Sequence, residues 1–206
     1  MIAGRGQNGY GQADDELGTP PRRAFHLDLS AAQAVYEFGC GTGRFAARLL
    51  ATELPAAASY RAIDLSPAMV DLARRRLAPF GPRATVELRN GGPPSSEAAS
   101  CDRFVSNFVL DLLSVDDIRG VIAEAHRMVV AGGLLGLSSL TPGFSPATRF
   151  VARLLSGIHT LRPHLIGGCR ALELLDFLPQ SQWRVRHVAR IAALGVPLQA
   201  VVAERA

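Results

Sequence analysis

Apolar positions along the chain fall into two alternating rhythms. Short apolar runs at Ala34–Phe38, Tyr60–Asp64, Thr85–Leu88, Arg103–Asn107 and Leu134–Leu140 have the length and composition of buried strands. Between them, apolar residues recur three and four apart. Phe45, Leu49 and Leu50 predict a helix over about 43–53, and Met69, Val70, Leu72, Ala73 and Leu77 give a second helix its apolar face. Ser66 followed by Pro67 supplies that helix with a cap and a first-turn proline. Ser114 and Asp117 resemble a capping box that opens a third helix running to about Met128. Gly91-Gly92-Pro93-Pro94 breaks the third strand, the fourth continues into Phe108-Val109-Leu110, and Gly132-Gly133 closes the connection before the fifth. Strand and helix in alternation predict a parallel sheet with helices on both faces.

Beyond Leu140 the rhythm changes. Phe150, Val151, Leu154, Leu155, Ile158 and Leu161 have helical spacing over 145–162, and a short helix is expected over roughly 170–177. Trp183–Ile191 and Val196–Val202 then read as two closing strands. At the other end, residues 1–22 are rich in Gly, Gln, Asp and Pro and read as a mobile arm, with a short helix within 23–33. A chain of 206 residues is most simply one domain. The expected organisation is a single unit over 1–206, with the arm at 1–22 and a cap at 141–180.

Composition narrows the class. Apolar residues make up 48% of the chain, enough for a full core, yet no uninterrupted apolar run nears the roughly 20 residues that span a bilayer. The first residues lack the apolar centre of a secretory leader, so a cytoplasmic location is expected. Three scattered cysteines, Cys40, Cys101 and Cys169, form neither a disulfide framework nor a zinc pattern, and no metal site is expected. The formal charge of +4 is compatible with an anionic partner, but solvated arginines account for it more simply.

The chemistry concentrates in Val35-Tyr-Glu-Phe-Gly-Cys-Gly-Thr-Gly-Arg44. A strand ends in an acid, three glycines follow at alternate positions (Gly39, Gly41, Gly43), and a helix starts at once. Such a turn lets a nucleoside-bearing ligand approach bare backbone. The dinucleotide fingerprint Gly-x-Gly-x-x-Gly is not met, because Arg44 stands where its third glycine would be, and the Gly-x4-Gly-Lys-Ser/Thr phosphate loop is absent. Glu37 would repel a pyrophosphate and suits a cationic ligand. The segment resembles the first motif of the class I S-adenosylmethionine-dependent methyltransferases, Glu/Asp-x-Gly-x-Gly-x-Gly. The resemblance covers about residues 30–206. It implies a Rossmann-like, doubly wound sheet of seven strands, mostly parallel with an antiparallel last strand. A helical cap would be inserted before the last two strands.

The same resemblance implies S-adenosylmethionine as cofactor and distributes the site. Glu37, Gly39, Cys40, Gly41 and Gly43 would border the methionine part. Asp64, ending the second strand, would accept from the ribose hydroxyls. Leu65 and Met69 would pack beside the adenine, and Asn90, Gly91 and Gly92 would edge it. The family usually has an acid after the glycine that follows the third strand. Here Gly92 takes that place, with Asn90 as a substitute acceptor. Asn107 and Phe108 would border the transferred methyl. The Asp/Asn-Pro-Pro-Tyr/Phe motif of nucleobase amino-methyltransferases is replaced by Asn107-Phe108-Val109-Leu110, and a Pro-Cys nucleophile after the fourth strand is missing.

For catalysis Asp111, His159, His164 and Tyr10 are the candidate side chains, and none stands out. In-line transfer from a sulfonium draws most of its rate from alignment and water exclusion, so a strong base is not required. The expected function is methyl transfer to a small-molecule or lipid-like acceptor. A nucleic-acid methyltransferase, supported only by the basic charge, and a non-catalytic S-adenosylmethionine-binding protein remain the alternatives. The oligomeric state is not written in the sequence.

Overall fold

The computed structural model describes residues 27–94, 96–146, 148–149, 170–193 and 195–206. Its centre is a seven-stranded sheet made of β1 (Ala34–Phe38), β2 (Ser59–Asp64), β3 (Ala84–Leu88), β4 (Cys101–Asn107), β5 (Val129–Leu140), β6 (Trp183–Ala193) and β7 (Val196–Arg205). The spatial order is β3-β2-β1-β4-β5-β7-β6. Neighbours from β3 to β5 pair in parallel, and β7 runs antiparallel to both β5 and β6. The expected doubly wound sheet with a reversed last strand is therefore present.

Helix α1 (Arg44–Thr52) follows β1, α2 (Pro67–Leu77) follows β2, and α3 (Val115–Met128) follows β4. The capping chemistry is where the sequence puts it. Ser66 Oγ accepts from the Met69 N–H, and Ser114 Oγ accepts from the Asp117 N–H at 3.1 Å. Two apolar clusters cover the two faces of the sheet. Val35, Tyr60, Ala62 and Val105 pack under Phe45, Leu49, Val70 and Ala73 from α1 and α2. Tyr36, Phe104, Leu135 and Leu137 pack under Ile118, Ile122 and Ala125 of α3, with Trp183. Burial on both faces explains why the central strands read as unbroken apolar runs.

Four expectations change. Strand β4 stops at Asn107, because Phe108 takes φ 54°, a left-handed conformation that ends the ladder. Strand β5 starts at Val129, five residues early, and takes Gly132 and Gly133 into an irregularity opposite Cys101–Arg103. The short helix over 170–177 shrinks to a 3-10 turn at Leu174–Phe177, and the one within 23–33 appears as a 3-10 turn at Leu29–Ala31. The rest of the cap helix and the arm lie outside the described residues.

The amino end of the sheet is locked by side chains. Asp102 accepts the Gln33 and Ala34 N–H groups, each at 2.9 Å, which fixes where β1 begins against β4. Buried Arg103 donates to the carbonyls of Leu27 and Asp28 at 2.7 and 2.9 Å, and Leu27 fills the space left by Gly136. These anchors set β1 and β4 side by side. Strand order reverses there, and in open α/β sheets the crevice beyond the carboxyl ends at such a point is where ligands bind.

Candidate cofactor site at the carboxyl ends of β1, β2 and β4

The turn after β1 is built by backbone. The N–H groups of Gly39 and Cys40 both donate to Ile63 O, at 2.9 and 3.0 Å, and Gly43 N–H donates to Cys40 O at 2.9 Å. All three turn glycines have positive φ, at 79°, 51° and 73°, but they serve different ends. A Cβ on Gly39 would lie 2.3 Å from Val109 Cγ2, and one on Gly43 would lie 3.0 Å from Ala73 of α2. These two glycines let the chain pass close to its neighbours. A Cβ on Gly41 would meet nothing within 4 Å. Gly41 faces the crevice.

Asp64 ties the turn to β2. Its Oδ2 accepts from Gly41 N–H at 2.8 Å and its Oδ1 from Ser66 N–H at 2.9 Å. One carboxylate thus holds the glycine turn and the start of α2 together. Each oxygen keeps a further lone pair for a ligand hydroxyl. Beside it Leu65 is 58% exposed, an uncovered apolar side chain at the rim, and Met69 is half-buried. Asn90, Gly91 and Gly92 follow β3 as an exposed edge, with φ of 102° and 78° at the two glycines and no atom within 4 Å of an added Cβ on either.

Glu37 lies beneath the turn rather than in the open crevice. It is 1% exposed and accepts from the Tyr60 hydroxyl at 2.9 Å. Burial pushes its carboxyl up to about 8, against the pull of the Tyr60 hydrogen bond; the Asp64 charge adds to the rise, and the facing Asn107 amide opposes it. Cys40 is buried, and burial, with Glu37 and Asp64 nearby, raises its thiol well above the usual range, so it is no nucleophile.

On the far side of Gly39, Asn107 ends β4. Its Oδ1 accepts from the buried Ser138 hydroxyl at 2.9 Å, while its buried Nδ2 meets no acceptor in hydrogen-bond geometry among the described residues. Phe108 is half-buried at the strained step after it, a kind of backbone outlier that gathers at functional sites. Asp111 sits in the 3-10 turn Leu110–Leu112, 1% exposed, and burial raises its carboxyl to about 6. Neither carboxyl oxygen finds a hydrogen-bond partner among the described residues, although the N–H groups of Asp111 and Leu140 draw the pKa back.

Gly39, Gly41, Asp64, Leu65, Asn107 and Phe108 therefore border the crevice, with Glu37 and Cys40 buried beneath the turn. Gly43 serves helix packing, and Asn90–Gly92 form an outer edge. Tyr10, His159 and His164 lie outside the described residues. Sequence reasoning missed Tyr60, Ser138 and Val109. The signal for Tyr60 and Ser138 was register: Glu37 pairs with Ala62 and Val105, and Asn107 pairs with Ser138, which puts all four polar groups on one face. Among the described residues, no group of three or more His, Cys, Asp or Glu gathers to hold a metal ion. No helix among them is long and apolar enough to cross a membrane.

The residues fit a phosphate-free nucleoside with a cationic end. A glycine gap lies open, an uncovered Leu65 adjoins a carboxylate, and an orphaned amide faces a buried acid. The family model of a methyltransferase domain matches residues 35–133, the span from β1 into β5 that carries this crevice. Over that span, a little under half of the chain, the protein is similar to methyltransferase domains.

Curated relatives match over a similar share of the chain. A carboxy-S-adenosyl-L-methionine synthase of Chromohalobacter salexigens is 33% identical over 130 residues, 63% of this chain and 47% of that one. A demethylmenaquinone methyltransferase of Tropheryma whipplei is 32% identical over 126 residues, 61% and 48% of the two chains. The chain thus spans about half the length of the curated relatives it matches. The solved N-methyltransferase NodS of Bradyrhizobium japonicum, in complex with S-adenosyl-L-homocysteine, shares the fold with a TM-score of 0.63. It is 17% identical, over 89% of this chain and 84% of that one.

Proposed function

We propose that the protein binds S-adenosylmethionine and transfers its methyl group to a small-molecule or lipid-like acceptor. One observation carries the reading: the space over Gly41 is open while the flanking glycines are packed shut, and the Gly41 N–H is held by the Asp64 carboxylate at the end of β2. The bound cofactor would supply an electrophilic methyl on a sulfonium. The chain supplies position. Glu37 puts negative charge under the methionine end, and the 39–43 turn offers bare backbone. Asp64 accepts from the ribose hydroxyls through its free lone pairs. Leu65 and Met69 cover one face of the adenine, while Asn90–Gly92 edge it. Asn107 and Phe108 border the reacting carbon, and residues 141–180 select the acceptor. Alignment and water exclusion supply the rate.

Curated relatives whose names specify small-molecule chemistry support this acceptor class over nucleic acid, and a cytoplasmic location accords with it. The test is calorimetric titration with S-adenosylhomocysteine, followed by incubation of methyl-labelled S-adenosylmethionine with pooled small-molecule and lipid acceptors. Wild type is expected to bind. Asp64→Ala should bind at least about tenfold more weakly, since ribose hydroxyls lose their acceptor. Its unfolding curve must be read alongside, because Asp64 also holds the turn. Failure of wild type to bind, or displacement by a dinucleotide, overturns the assignment.

A further inference from the structure

Four polar side chains from four adjacent strands meet on one face: Glu37, Asn107 and Ser138 lie toward the carboxyl ends of their strands, and Tyr60, near the amino end of β2, reaches Glu37 with its hydroxyl. Tyr60 of β2, Glu37 of β1, Asn107 of β4 and Ser138 of β5 share one face of the sheet by register. Tyr60 donates to Glu37 at 2.9 Å, and Ser138 donates to Asn107 Oδ1 at 2.9 Å. The Ser138 bond decides which way the Asn107 amide points. With Oδ1 engaged by a hydroxyl, Nδ2 must turn toward Glu37, where it is buried without an acceptor in hydrogen-bond geometry. A protonated Glu37 leaves that donor poorly served. An ionised Glu37 would accept from both Tyr60 and Asn107.

We propose that Ser138 and Tyr60 are positioning residues that prepare Glu37 to ionise when a ligand's ammonium group arrives, so that binding expels the Glu37 proton into solvent. The ligand keeps its own ammonium proton; the Glu37 O–H bond is the one broken, and buffer takes the proton. This inference rests on the cofactor reading above and names the group within that site that senses the ligand's charge. The charged and titratable groups around Glu37 accord with it. Asp64 opposes ionisation, the Cys40 thiol is held neutral, and Arg48, which faces Tyr60, favours negative charge nearby. With its carboxyl at about 8, Glu37 is mostly protonated at neutral pH before any ligand binds.

The test is calorimetric titration of the whole chain with S-adenosylhomocysteine, which carries the amino-acid end, and with methylthioadenosine, which lacks it. Buffers of different ionisation enthalpy count the protons released. Between pH 6 and 8, wild type should release a proton on binding S-adenosylhomocysteine, with affinity rising up to about tenfold per pH unit. Methylthioadenosine should release none. Ser138→Ala frees the amide to present its oxygen to Glu37, which favours the protonated acid. Binding of S-adenosylhomocysteine at pH 7 should weaken roughly three- to tenfold, and the pH profile should move upward. Tyr60→Phe should move it the same way, and Ser138→Thr, which keeps the hydroxyl, should restore it. A merely structural role would weaken both ligands equally and leave the profile in place. Proton-neutral binding by wild type, or an unmoved profile in both variants, overturns the inference and leaves the cofactor reading standing. If wild type binds neither ligand, the cofactor reading falls and takes the inference with it.

Discussion

Three glycines at alternate positions share a left-handed backbone but not a task. Gly39 lies under Val109, Gly43 against Ala73, and Gly41 against nothing. Alanine substitution should therefore separate them. Gly41→Ala carries about 1–2 kcal/mol of left-handed strain and no clash. It should lower the urea midpoint modestly yet abolish most S-adenosylhomocysteine binding, because its methyl enters the crevice. Gly39→Ala adds a 2.3 Å collision to the same strain and should destabilise by roughly 3 kcal/mol or more. Adding Val109→Ala should recover part of that loss. Equal unfolding curves for the two single variants would contradict this division. The sequence showed that bare backbone was needed at 39, 41 and 43. Which glycine faces the ligand depends on Val109 and Ala73, brought in from β4's end and α2, and no local pattern encodes that. Glu37 shows the same limit. Its type was legible, but its place beneath the turn depends on Tyr60 crossing from β2.

Interiors of strands and helices were legible because burial on both faces writes long apolar runs and caps write polar punctuation. Element ends were less so. Phe108 looks like a continuing strand residue, and only its 54° φ stops β4 there. Val129 looks like the end of a helix, and the sheet captures it early through pairing with Cys101. The amino ends of β1 and β4 are set by Asp102 and Arg103, which the sequence marked only as the start of a strand. Arg103→Leu should show how much those ends depend on side chains. It leaves the Leu27 and Asp28 carbonyls without their guanidinium, a loss of ~3 kcal/mol. Because the anchor lies at the opposite end of the sheet from the crevice, S-adenosylhomocysteine affinity at a temperature where the variant is folded should stay within about twofold. A large change in affinity would mean that the amino-end anchor governs the site.

At the scale of the molecule, the seven strands place two costly carboxyls at one rim. Glu37 lies beneath the end of β1, and Asp111 lies just past the end of β4. Both have pKa values raised by burial, to about 8 and about 6, from ordinary values of 4.5 and 3.8. The folded state therefore binds protons that the unfolded chain has released. Their contribution to stability is fully present below about pH 4 and is lost as pH rises, first through 6 and then through 8. A fold that keeps such groups where its strand order reverses gives up stability at the place where it binds. Asp111→Asn removes the first step and leaves the second. Urea unfolding at pH 8 should show the variant more stable than wild type by ~2 kcal/mol, and at pH 4 the two should coincide. Equal gains at both pH values would assign the effect to packing. A loss at pH 8 would mean that the Asp111 charge is matched by a partner in the folded protein, and the acid-side tilt would then belong to Glu37 alone.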